Sequence, residues 1–303
     1  MWRWLRRRPS PAAPAEPSRR SGPSLGAYRI ERRIGRGAAT EVFLAQDQRS
    51  GQWVALKLLE LGGTPASAEW HDALERFRRE AAVLRGLHHR GIVKVLDAGP
   101  SERGAWMALE VVPGCDLSRY TRPARLLPPP LVAHTGACIA EALAHAHRHG
   151  VIHRDVKPAN VLVDWASGAV KLGDFGMARM GEDTQTRSGV TLGSPDYMAP
   201  EQLAGAAIGA AADIYGLGAS LFELLTGRRP HEHDNLGALL RAVASEPAPD
   251  LAALKPGLDP GLVAVVMQSL AKDPAARPAN ADEVAARLSV CAGSRAGRVA
   301  STP

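Results

Sequence analysis

The strongest constraint on how this chain can fold is a change of pattern at Pro113-Gly114. Ahead of it lie short β-type runs at residues 28–34, 41–46, 52–59, 93–98 and 106–112. One helical stretch interrupts them, with Ala73, Phe77, Ala81, Leu84 and Leu87 recurring near the helical period. Beyond it the pattern is helical, with an Ala-rich stretch at 131–147, an apolar one at 211–225, and two more at 259–271 and 282–288. Asp259 and Asp282 open the last two, and each can act as an N-cap. A hairpin is expected between 161–165 and 169–172, turning at Ser167-Gly168. The expectation is an α+β, two-lobed chain. A five-stranded antiparallel lobe with one main helix (25–112) joins a larger α-helical lobe (113–290) through residues 110–114, leaving a cleft between them.

Charge and cysteine usage remove several function classes. The net charge is +6, but the first 20 residues hold six arginines against Glu16, so the rest of the chain is close to neutral. A nucleic-acid-binding face is therefore not expected. Residues 1–24, rich in Arg, Pro, Ser and Ala, read as a disordered basic tail, and 291–303 as a flexible C-terminal tail. Cys115, Cys138 and Cys291 are too few and too dispersed for a disulfide framework. No run approaches the ~18 apolar residues of a membrane span, and the N-terminus lacks the apolar core of a secretory signal. A cytoplasmic protein is expected. Weak contact of the tail Trp2-Arg3-Trp4-Leu5-Arg6-Arg7-Arg8 with an anionic membrane surface remains open to it.

Four segments carry chemistry. In Ile34-Gly35-Arg36-Gly37-Ala38-Ala39-Thr40-Glu41-Val42 the two glycines allow a tight turn whose N–H groups can face phosphate. In Val54-Ala55-Leu56-Lys57 the lysine points away from its apolar strand neighbours. The run His153-Arg154-Asp155-Val156-Lys157-Pro158-Ala159-Asn160 lies between a helix and a strand, and such a loop can hold an acid, a base and an amide together. Asp174-Phe175-Gly176 follows the hairpin, 19 residues beyond Asp155 and 14 beyond Asn160.

In this order the motifs resemble those of protein kinases, and Ser194-Pro195-Asp196-Tyr197-Met198-Ala199-Pro200-Glu201 is similar to the end of a kinase activation segment. The resemblance spans roughly 26–290 and is nearest to bacterial serine/threonine kinases of the eukaryotic (Hanks) type, Lys157 marking the serine/threonine branch. It implies transfer of the ATP γ-phosphoryl group to protein Ser/Thr hydroxyls, with a pseudokinase scaffold that binds without catalysis as the alternative. Asp155 would then take the hydroxyl proton, Lys157 stabilise the γ-phosphoryl charge, and Asn160 and Asp174 hold Mg²⁺ (or Mn²⁺).

The resemblance also assigns Ile34 through Thr40 to a phosphate-covering loop, with Thr40 where the third glycine is usual. Lys57 would bind the α/β-phosphates and pair with Glu80, preferred over Glu75 on the same helix. Val42, Ala55 and Leu162 would sandwich adenine, Glu110 and Val112 would supply backbone bonds to its edge, and Leu109 would guard a rear pocket. Structural roles fall to Phe175, Gly176 and Ser194, to Glu201 paired with Arg277, and to Asp213 bracing the catalytic loop.

Thr184, Thr186, Ser188 and Thr191 lie in a polar stretch and are candidates for autophosphorylation, with Arg154 as the cation that would receive the phosphate. Protein substrates are the expected partners, with self-association for phosphorylation in trans. Because the chain stops soon after the catalytic unit, a kinase taking its input from a partner is expected rather than a receptor.

Overall fold

The computed structural model describes residues 24–37, 40–61, 64–102, 104–175 and 195–293. Its N-terminal lobe is built on one antiparallel sheet, with strands β1 (Ser24–Leu25), β2 (Tyr28–Arg36), β3 (Thr40–Asp47), β4 (Trp53–Glu60), β5 (Val95–Ser101) and β6 (Gly104–Glu110) in the order β1-β2-β3-β4-β6-β5. The sheet therefore has six strands where the sequence pattern suggested five. The addition is the two-residue β1 at the edge, too short to show alternation.

Helix α1 (Ala68–Gly86) packs across this sheet. Ser67 caps it by accepting from the Trp70 N–H, and its buried stripe is Ala73, Leu74, Phe77, Ala81 and Leu84. Phe77 is fully buried, which stabilises the lobe by about 2–3 kcal/mol.

The second lobe comprises α2 (Pro129–Arg148), α3 (Pro200–Leu203), α4 (Ala210–Thr226), α5 (Leu236–Ser245), α6 (Leu251–Leu254), α7 (Pro260–Ser269) and α8 (Ala281–Gly293). A three-stranded sheet β7 (Cys115–Asp116), β8 (Val161–Asp164) and β9 (Ala169–Leu172) faces the cleft. Asp259 caps α7, accepting from the Gly261 and Leu262 N–H groups. The cap of α8 differs from expectation. Asn280 accepts from the Glu283 N–H at 2.9 Å, while Asp282 lies in the first turn and pairs with Arg148 at 2.8 Å.

Helix α4 is enclosed on nearly every side, from Ala212 to Leu225. Two glycines permit that packing. A Cβ on Gly136 of α2 would stand 2.8 Å from Leu221, and one on Gly216 would stand 2.9 Å from the Val156 carbonyl. The backbone of α4 thereby approaches the loop that carries Asp155.

The lobes meet at the rear through main-chain bonds. Val93 N–H donates to Leu172 O (2.9 Å) and Leu172 N–H to Gly91 O (2.8 Å). Beside them the Glu110 carboxylate accepts from the Lys94 N–H (2.8 Å) and from Lys171 Nζ (2.6 Å).

Candidate active site

Asp155 sits on the irregular loop between α2 and β8, and its surroundings fix its orientation. Lys157 Nζ is 2.7 Å from Oδ2, and Asn160 Nδ2 donates to both Oδ2 (2.9 Å) and the Asp155 carbonyl (2.7 Å). Asn160 is nearly buried at the end of a single helical turn (Pro158–Asn160), and its carbonyl accepts from the Gly173 N–H at 2.8 Å. With its nitrogen committed to Asp155, Oδ1 is the atom Asn160 can offer a metal.

The fully buried Asp213 on α4 supports the start of this loop. Its Oδ1 accepts from the Arg154 N–H (2.7 Å), and its Oδ2 from the His153 N–H (2.8 Å) and from His147 Nε2 (2.7 Å). It lies in the first turn of α4 and does not serve as its N-cap, a place held by Gly209. His153 accepts from the Asp155 N–H at Nδ1 (3.2 Å) and so donates from Nε2 to Gly173 O (2.7 Å). The Phe175 ring packs edge-on against His153, with centroids 4.5 Å apart. The segments holding Asp155 and Asp174 are thus joined through one imidazole.

Asp174 and Arg154 are the two non-glycine residues with positive φ among those described, at 61° and 68°. Both adjoin the candidate site, and strain of this kind commonly collects at functional sites.

Lys57 lies on β4 opposite Val42 and Met107, with only 5 % of its surface exposed. Its ammonium pairs with Asp174 Oδ1 at 2.9 Å, and not with Glu80 as the resemblance implied. Glu80 instead lines a recess of about 260 Å³ with Arg79, Val83, Leu84, Val151 and Arg154. Gly150, Val151, Ile152 and Arg154 line the same recess, so this face of α1 borders the start of the loop that carries Asp155. Glu75 forms an exposed pair with Arg78 (2.6 Å). Behind Lys57 a small cavity of about 20 Å³ is lined by Leu84, Val95, Met107, Leu109 and Phe175, so Leu109 does stand at a rear pocket.

In the glycine segment, Gly35 pairs with Val42 inside the β2–β3 ladder, and its would-be Cβ makes only ordinary contact. The turn is closed by Gly37, whose N–H donates to Thr40 O at 2.7 Å. A Cβ on Gly37 would stand 2.7 Å from Thr40 Oγ1. Ile34 is half exposed near the end of this ladder and Arg36 stands opposite Glu41 in the strand register, while Ala38 and Ala39 lie outside the described residues. Ala55 faces Leu44 and Leu109 across the sheet, and Leu162 on β8 pairs with Asp116. Glu110 closes β6, two residues before Val112.

Glu201 and Arg277 form a two-pronged pair (2.6 and 2.8 Å) in which Arg277 is 3 % exposed. The guanidinium also donates to the carbonyls of Ala211, Ala271 and Lys272 and lies over the Tyr215 ring. Next to it, Lys272 donates to Val243 O (2.7 Å) and lies 3.0 Å from His231 Nε2. Burial pushes Lys272 down to about 8, and burial with the adjacent Lys272 pushes His231 down to about 4. Tyr197 donates to Glu223 Oε2 at 2.6 Å, and burial raises both groups above their ordinary values.

Gln202 is one residue that motif reading passed over. It joins α3 to Arg154, and only its position beside Glu201 hinted at a role. Gly176, Thr184, Thr186, Ser188, Thr191 and Ser194 lie outside the described residues.

Asp174 and Asn160 supply hard oxygen donors, and among the described residues no cluster of three or more His, Cys, Asp or Glu could enclose a metal. A donor set this sparse suits Mg²⁺, which keeps waters and binds through one or two side chains plus substrate phosphates. Lys57, Asp174, Asn160 and Asp155 thus stand together on elements of the β lobe and the helical lobe.

The protein kinase domain family matches residues 28–287, and the chain belongs to that family. It is 39 % identical over 275 residues to the serine/threonine-protein kinase PknJ of Mycobacterium tuberculosis, covering 88 % of this chain and 45 % of that protein. It is 34 % identical over 264 residues to PrkC of Bacillus subtilis, covering 87 % of this chain and 40 % of that protein. The crystal structure of the M. tuberculosis PknI kinase domain superposes with a TM-score of 0.71 at 31 % identity, covering 90 % of this chain and 99 % of that one. These relatives place it with the bacterial Hanks-type serine/threonine kinases. The chain spans less than half the length of the curated relatives just named. No described helix is long and apolar enough to cross a membrane.

Proposed function

We propose that this chain transfers the γ-phosphoryl group of ATP to serine and threonine hydroxyls of proteins, its own included. The observation that carries this reading is the Asp155 carboxylate, held by Lys157 and Asn160 on a loop braced by Asp213. Asp155 orients the acceptor hydroxyl and takes its proton as its oxygen bonds to the γ-phosphorus and the bond from that phosphorus to the β-phosphate oxygen breaks, releasing ADP. Lys157 then turns from Asp155 toward the γ-phosphoryl oxygens, where charge develops. Asn160 and Asp174 hold Mg²⁺, which when bound neutralises the phosphates and keeps them in line.

Lys57 leaves Asp174 for the α/β-phosphates, and Glu80 comes to pair with it as α1 rotates. Val42, Ala55 and Leu162 enclose adenine, with backbone groups of Glu110 and Val112 at its edge. Ile34 through Thr40 cover the phosphates. Residues 25–290 form the catalytic unit in this reading. Phosphate on Thr184, Thr186, Ser188 or Thr191, added in trans between two copies, binds Arg154. The cytoplasm, where ATP and protein substrates are abundant, is the proposed location. The basic tail makes at most weak membrane contact.

The test compares wild type with Asp155→Asn, using labelled Mg·ATP and a generic Ser/Thr substrate protein. Label is expected on phosphoserine or phosphothreonine with wild type only. Equal incorporation by both proteins, or none by wild type with Mg²⁺ or Mn²⁺, would overturn the proposal.

A further inference from the structure

Arg154 is held in the left-handed region at φ 68°, a conformation that costs a non-glycine residue roughly 1–3 kcal/mol unless its surroundings impose it. Two long-range bonds impose it here. On one side its N–H donates to Asp213 Oδ1 (2.7 Å), and on the other its carbonyl accepts from Gln202 Nε2 (2.9 Å). That carbonyl belongs to the peptide joining Arg154 to Asp155. The N–H of the same peptide donates to His153 Nδ1 (3.2 Å). Both edges of the plane from which Asp155 springs are therefore tied, one by His153 and the other by Gln202.

Gln202 is itself well fixed. Its Oε1 accepts from the Ala199 N–H at 3.0 Å, so the carbonyl meets a donor and the amide nitrogen meets an acceptor. The preceding residue, Glu201, is anchored by both prongs of the buried Arg277. An unbroken run of bonds thus leads from Arg277 through the Ala199–Leu203 turn to the backbone of Asp155.

We propose that Gln202 is a positioning residue for Asp155, clamping the Arg154–Asp155 peptide so that the carboxylate points correctly only while the 199–203 turn is formed. This rests on the reading of Asp155 as the proton acceptor. Gln202 touches neither substrate nor reacting atoms, and its contribution passes through the peptide alone.

The bland competitor is that Gln202, the third residue of α3, only closes its N-terminus by accepting from the N–H of the N-cap residue Ala199. A glutamate serves that role equally well, and its charge favours a helix N-terminus. The clamp needs a donor. An ionised glutamate would present oxygen to the Arg154 carbonyl and release it. Gln202→Glu therefore separates the two roles, and Gln202→Met removes both.

Full-length wild type, Gln202→Glu and Gln202→Met are compared for kcat, KM for ATP and thermal midpoint across a pH series. The clamp predicts a kcat roughly ten- to a hundred-fold lower for both variants at neutral pH, since small displacements of a catalytic group cost on that order. KM for ATP stays unchanged, and Gln202→Glu melts no lower than wild type. As pH falls toward about 5, where a glutamate begins to carry a proton it can donate, the ratio of Gln202→Glu to wild-type kcat rises. The ratio for Gln202→Met stays flat. Wild-type kcat in Gln202→Glu at neutral pH, or a loss that follows the melting temperature and shows no recovery in acid, would overturn the clamp. An inactive wild type would instead overturn the kinase reading on which it rests.

Discussion

Lys57 and Asp174 neutralise each other across 2.9 Å, so the cation suited to phosphate and the carboxylate suited to metal are each other's partner before nucleotide arrives. A divalent ion arriving alone must displace an ammonium from its oxygen. Under the proposed function, a nucleotide arriving with its metal would give both groups a new partner at once.

Lys57→Met should therefore have opposite effects on catalysis and on metal binding. Phosphoryl transfer should vanish, while Mn²⁺ should bind more tightly than to wild type when no nucleotide is present. Titration followed by electron paramagnetic resonance of free Mn²⁺ reads this directly, and unchanged or weaker binding would contradict it. Chelation of the metal should stop wild-type turnover and leave the far-ultraviolet circular dichroism melt in place, because the described fold rests on packed side chains.

Gly37 and Thr40 should behave as a pair. Gly37→Ala sets a methyl 2.7 Å from Thr40 Oγ1, so the loop must open or the threonine side chain must turn away. The expected result is a several-fold higher KM for ATP. Adding Thr40→Gly, which removes the opposing hydroxyl, should recover most of the loss. Identical KM values for the single and double variants would argue against that contact.

The Glu201–Arg277 pair should be asymmetric. Arg277→Met leaves Glu201 without its partner and three carbonyls without their donor, and should cost about 3–5 kcal/mol of stability in urea titrations. Glu201→Gln should cost less, because Arg277 keeps those carbonyls and the Tyr215 ring. Equal losses would mean that the ion pair itself, and not the carbonyl set, dominates.

His231 should make the protein acid-sensitive. Its folded value is lowered from 6.5 to about 4, so between those limits the unfolded chain binds a proton that the folded chain does not. Its contribution to stability is therefore complete above about 6.5 and is lost as pH falls toward 4. His231→Phe should flatten the dependence of unfolding free energy on pH over that window. A slope as steep as that of wild type would assign the acid sensitivity elsewhere, with His89 and His145, also lowered by burial, as the next groups to test.

Much of this site was legible because its parts are local. The run from His153 to Asn160 places base, lysine and amide within one turn of chain, and Asp259 lies beside the amides it caps. Arg277 was legible only through the family resemblance, since it lies 76 residues from Glu201. What escaped depends on how separate elements are turned against each other. Lys57 meets Asp174 while Glu80 lines a recess with residues 150–154, an arrangement of separate elements that no spacing encodes. Gln202 was in plain view beside Glu201, yet its amide serves a carbonyl 48 positions away. Asn280 displaced Asp282 as the cap of α8 because either residue satisfies the local rule, and Arg148 was there to take the aspartate.

The rear junction has one further consequence. Glu110 grips Lys94 on the sheet side and Lys171 on the helical side, while the 91–93 segment is stitched to Leu172. Any swing of the lobes that keeps those bonds turns about that edge like a book about its spine. The mouth of the cleft, at Gly37 and Thr40, then travels farthest and the rear hardly moves.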